Sequence, residues 1–98
     1  MDTPPPDSAP HDPLTRWIGQ KVVLDTQGPL IYIGTLTAVD TQALVLCDAD
    51  VHDCRDSRSS KEFYLAQTRT VGIHVNRAEV MVQRAVVAST SLLEAVVA

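Results

Sequence analysis

Between residues 20 and 54 the apolar positions fall into short blocks separated by turn sequences, and the blocks have strand character. Lys21–Asp25 predicts a first strand. Thr26-Gln27-Gly28-Pro29 predicts a turn, with glycine supplying a conformation that other residues avoid. Leu30–Val39 predicts a second strand, long against a mean of about 5–6 residues. Gly34 sits in its middle, where a strand glycine marks a bend or a bulge. A long strand bent at a glycine is what a small closed barrel requires. Asp40-Thr41-Gln42 predicts the next turn, and a third strand starts at Ala43, passes Leu46 and reaches towards His52. Three strands joined by tight turns form an antiparallel meander.

The flanks have a different period. Asp12 is a good cap and Pro13 suits a first helical position. Leu14, Trp17 and Ile18 make one apolar stripe, so a helix is expected over residues 13–19, ending at Gly19. Past the polar stretch 53–60, Ser59 and Glu62 have capping-box spacing. Tyr64, Thr68 and Val71 share a helical face, and Gly72 reads as a stop. A helix over about 60–71 is expected, standing on the face of the barrel away from the first helix, with Tyr64 and Val71 inward. A strand at Phe63-Tyr64-Leu65 is the competing reading. Strand 4 is expected at Ala78–Gln83, a tight turn at Arg84-Ala85, and strand 5 at Val86–Thr90. The apolar end of the chain, residues 91–98, should dock on the barrel or on a neighbour. Residues 1–12 hold four prolines and three Asp, the composition of a disordered tail. One domain over 13–98, with an insertion at about 53–77, completes the organisation.

At 98 residues the chain is at the size where association often completes a core. The net charge of −4 is unevenly spread. Residues 1–54 carry two cations against eight Asp, whereas residues 55–84 carry six cations against three acids. The global field does not steer the protein to nucleic acid, although the second half could present a basic face. Aromatic residues are scarce: Trp17, Tyr32, Phe63 and Tyr64. Sequence-tolerant binding of single strands relies on such residues as stacking platforms. No apolar run is long enough to span a bilayer and no leader pattern opens the chain, so a cytoplasmic location with Cys47 and Cys54 reduced is expected.

Ile18-Gly19-Gln20-Lys21-Val22-Val23-Leu24, then Gly28, Gly34-Thr35-Leu36, Asp40 and Leu44-Val45-Leu46, resemble the helix exit and first motif of the Sm/LSm family. Met81-Val82-Gln83-Arg84-Ala85-Val86 is similar to the second motif in its Hfq-like form. The resemblance covers roughly residues 14–52 and 78–90. It implies a mainly β fold, a five-stranded, strongly bent antiparallel barrel. It also implies a homo-oligomeric ring of roughly five to seven subunits. The seam would lie along Val80, Val82, Val86 and Ala88. Single-stranded RNA would be the ligand, at Asp40, Thr41, Gln42, Gln83 and Arg84, with Arg77 as a further cation. This chain departs from the family pattern at Gln42, where an aromatic or His would stack on a base. Ala43 and Leu44 replace the region of the base-reading Asn, and Gln83-Arg84-Ala85 lacks the second-motif His. A protein-interaction ring that binds no RNA is the alternative.

Other chemistry is thinly supported. On an unbroken third strand Asp48, Asp50, His52 and Cys54 would share one side, but same-face neighbours are about 7 Å apart, too wide for one ion. His74, Asn76 and Arg77 read as a polar group holding the long loop. Ser89, Thr90 and Ser91 lack a nucleophile-turn sequence, and there is no phosphate-binding glycine loop. No enzyme, metal or cofactor is expected.

Overall fold

The computed structural model describes residues 12–56 and 60–97. Its strands are β1 (Lys21–Thr26), β2 (Leu30–Val39), β3 (Ala43–Asp53), β4 (Arg77–Gln83) and β5 (Val87–Leu92), with one α-helix, α1 (Lys61–Val71), between β3 and β4. The expected tail lies outside the described residues, apart from Asp12.

All five strands belong to one antiparallel sheet in the order β4-β3-β2-β1-β5. The two outermost strands are consecutive in the chain, joined only by a 3-10 turn at Arg84–Val86. Four Cα steps of 3.8 Å hold Gln83 and Val87 within about 15 Å, so the sheet must curl until its opposite edges approach. The expected two-stranded hairpin of strands 4 and 5 is therefore replaced: β5 pairs with β1, and the expected Val86 start belongs to the turn.

Gly34 supplies the bend. Ile33 pairs with Asp50 and Thr35 with Cys47, so Gly34 faces two residues, Asp48 and Ala49, in a bulge. Asp48 has φ +48°, a conformation that Asp tolerates better than most residues. A second register shift lies between Leu36 and Ala38.

The curled sheet buries both of its faces. Inside, Val22, Leu24, Leu36, Leu44, Leu46, Ala49 and Val82 form one cluster, closed at one end by Leu14 and Trp17. Outside, Val23, Ile31 and Ile33 are covered by Leu65 of α1 and by Leu93 from the C-terminal turn. This is why Val22-Val23-Leu24 is buried without alternation. The C-terminal apolar segment docks on its own barrel through Leu93 and Val96.

Three local expectations are corrected. The N-terminal helix is a 3-10 helix over Pro13–Trp17. Its chain leaves early because Gly19 N–H donates to the Leu36 carbonyl at 2.7 Å, and Ile18 is 46% exposed rather than part of the stripe. The cap of α1 is Ser60, whose hydroxyl accepts from Phe63 N–H at 3.2 Å; Ser59 lies outside the described residues. Val71 is 78% exposed, while Leu65 and Thr68 carry the buried face. Ile73, just past the Gly72 stop, packs on the outer cluster in its place.

Candidate nucleic-acid interface

Asp40 builds the β2–β3 turn. Its Oδ1 accepts from Gln42 N–H at 2.7 Å and from Ala43 N–H at 2.8 Å. Two backbone donors fix the carboxylate in place, as expected for Asp at a turn. The β4–β5 link is strapped to this turn: Arg84 N–H donates to the Gln42 carbonyl at 2.8 Å, and Arg84 Nη1 to the Asp40 carbonyl at 3.0 Å. Asp40, Thr41, Gln42, Gln83 and Arg84 thus share one end of the barrel. Thr41, Gln42 and Gln83 are exposed.

Arg84 has a further partner absent from the sequence reading. Asp12, which caps the first helix by accepting from Leu14 N–H at 2.9 Å, forms an ion pair with Arg84 Nη1. The guanidinium hydrogen bond holds the Asp12 carboxyl below the ordinary carboxylate range. The same bond raises the Arg84 pKa. The cation strapped to this turn is therefore matched to an acid of its own chain.

Arg77 stands apart from this group. It opens β4 opposite Ala49, whereas Gln83 closes β4 opposite Ala43. Six residues of strand put about 20 Å between them. Of the seam residues, Val82 is 3% exposed and lies in the inner core, facing Leu44 across the sheet. Its side chain packs within the chain and so is unavailable to a neighbour. Val80 is partly buried against the same cluster. Val86 and Ala88 are exposed, and they line an apolar cleft of about 460 Å³ with Gly28, Pro29 and Tyr32.

A second polar group lies at the far end of β3. Asp50 is 1% exposed and accepts from the Tyr64 hydroxyl and from Asn76 Nδ2 at 3.0 Å. Burial, then the bond to Asp50, pushes the Tyr64 phenol up. His52 stacks on Tyr64 with ring centroids 3.7 Å apart. Asn76 also bonds both polar backbone groups of Val51. The bulge at Asp48 breaks the alternation that would align Asp48 with Asp50, and among the described residues no His, Cys, Asp or Glu group is arranged to hold a metal. The network ties α1 and the segment before β4 onto β3. The sequence carried two signals for it, polar Asp50 amid strand residues and Asn76 in the polar group before strand 4, but nothing to name Tyr64 as the partner of Asp50.

A short N-terminal 3-10 helix, a five-stranded sheet curled until consecutive strands form its two edges, and an Asp-built turn strapped to the β4–β5 link define an Sm-like fold. The chain is similar to the Sm protein of Pyrococcus abyssii, solved in complex with a uridine heptamer, with a TM-score of 0.58 and 16% identity over 87% of this chain and 99% of that one. Identity this low carries the fold alone. No family model matches the chain, and no curated protein matches it. Among the described residues no helix is long and apolar enough to cross a membrane.

Proposed function

We propose that this chain is the subunit of a cytoplasmic, homo-oligomeric Sm-like ring of roughly five to seven copies that binds single-stranded RNA and has no enzymatic activity. The observation that carries the ring is the sheet order: β4 and β5 are both edges, each paired on one side only. Open edges of seven and six residues present unpaired backbone donors and acceptors. Pairing β4 of one copy with β5 of the next satisfies both, and a head-to-tail contact of this kind closes into a ring when the rotation permits. Val86 and Ala88 are the seam side chains this reading retains. The RNA reading is supported by the grouping of Asp40, Gln42 and Arg84 at one end of the barrel. It is also supported by the fold likeness to an Sm protein seen with a uridine heptamer.

The protein-interaction ring is favoured by one observation, the pairing of Arg84 with Asp12. Binding to oligo-U and oligo-A across a salt series separates the two. Phosphate contacts make log affinity fall with log salt by about 0.7 per contact on a single strand, and Arg84→Ala should flatten that slope by about one contact. Absence of binding to both oligonucleotides at low salt overturns the RNA reading and leaves the interaction ring as the one to test.

A further inference from the structure

Ala85, Val86 and Ala88 leave apolar side chains exposed around the start of β5. With Pro29, Leu30 and Tyr32 they line the cleft of about 460 Å³, and none of the residues lining it carries a charge. That volume lies within the ~300–1,000 Å³ range of ligand sites. Contiguous apolar surface left in water is the usual mark of a docking site. β5, β1 and β2 are neighbours in the sheet, and the cleft runs from Ala88 past Thr26 to Tyr32. It therefore spans two strand spacings, about 10 Å.

The occupant is read from where the chain arrives. Asp12 is held by Arg84, the residue before Ala85, so residues 1–11 join the described chain beside the near wall of the cleft. Residues 3–10 hold four prolines, three of them in the run Pro4-Pro5-Pro6, and one charge, Asp7. A polyproline segment rises about 3.1 Å per residue, so a run of three matches a width of about 10 Å. The six residues from Asp12 back to Pro6 reach about 19 Å. Apolar grooves with an aromatic wall are the surfaces on which such segments dock. Proline has its φ fixed beforehand, which lowers the entropy lost on docking. A tether this short sets an effective concentration of about millimolar, so even weak docking is populated. We propose that residues 3–10 dock in the apolar cleft of their own chain, with Pro4-Pro5-Pro6 laid between Ala88 and Tyr32. The docking stands without the RNA reading and without the ring. Val86 and Ala88 are also seam side chains of the proposed ring, so there the segment competes with the next copy for the same surface.

The test places the photoreactive residue p-benzoylphenylalanine at Val86 of the full chain and, separately, at Ala88; both positions are exposed. Equal amounts of isotope-labelled and unlabelled chain are mixed, illuminated from nanomolar to micromolar concentration, and digested with trypsin. Fragment 85–98 should be cross-linked to fragment 1–16, through residues 3–10, and only between fragments of like isotope. Pro4→Gly with Pro5→Gly and Pro6→Gly should lower that yield about five- to tenfold, because glycine restores the backbone freedom that proline removes. Where the ring assembles, links from 85–98 to fragment 78–84 of another copy should replace part of the yield. If those links never appear, the ring fails and the docking stands. No link to residues 3–10 from either position, links to them of mixed isotope, or a yield that the glycines leave unchanged would overturn the proposal.

Discussion

Replacing both partners of the buried Asp50 carboxyl, as Tyr64→Phe with Asn76→Ala, is expected to destabilise the fold by about 3–5 kcal/mol, read as a lower urea midpoint with an unchanged slope. Asp50 is 1% exposed, and its two oxygens are satisfied by the Tyr64 hydroxyl and the Asn76 amide. A buried polar group stripped of its partners bears its full desolvation cost, about 1–3 kcal/mol and more where charge is involved. Asn76→Ala additionally releases the N–H and the carbonyl of Val51 from their side-chain partner. Adding Asp50→Leu to the double variant should restore part of the loss, because removing every member of a buried polar group costs less than stranding one. Hydrogen exchange should show α1 losing protection before the sheet, since Tyr64 is one of its main ties to β3. An unchanged urea midpoint would show that water serves Asp50 as well as these side chains do.

Gly34→Val is expected to have a comparable effect, at least about 2–3 kcal/mol. A Cβ at position 34 would stand 2.9 Å from the Ala49 Cβ, 3.1 Å from its Cα and 3.1 Å from the Cys47 carbonyl oxygen. Two of these three atoms are backbone of the neighbouring strand, so relief requires β3 to move away from β2 at the bulge. Fully buried Leu36, Leu46 and Ala49 of the inner cluster lie around that bulge, so the strain reaches the core. Gly28→Val is the contrasting variant, because a Cβ there meets nothing within 4 Å. Equal stabilities for the two variants would contradict the placement of the bend.

The β-meander was legible because each signal was local. β2 has the bounds that its pattern predicts, and the Gly34 bend, the Asp40 turn and the Gly72 stop rest on residues whose conformational preferences act within a turn or two. The errors arose where distant groups decide. Val71 shares a helical face with Tyr64, but which turn of α1 is covered depends on where Ile73 and the C-terminal segment pack. Val82 alternates correctly for a strand, yet only the curl of the sheet decides that its side faces the inner core. The continuous apolar runs Val22-Val23-Leu24 and Leu30–Ile33 were the available sign that both faces of the sheet are covered. At the candidate interface, Asp40, Gln42 and Arg84, which the motif resemblance names together, lie at one end of the barrel. The resemblance had no means of placing Asp12 on Arg84, a partner 72 positions away, or of separating Arg77 by the length of β4.

The two open strand edges make the ring the claim on which the functional reading stands, and its mass in solution tests it most directly. Light scattering from the full chain at micromolar concentration should give a single species of roughly five to seven times the 10.6 kDa of one chain, unchanged on dilution within that range. Val86→Asp with Ala88→Asp, which sets like charges along the exposed part of the seam, should shift that species towards the monomer. A wild-type mass of 10.6 kDa throughout the micromolar range would contradict the account.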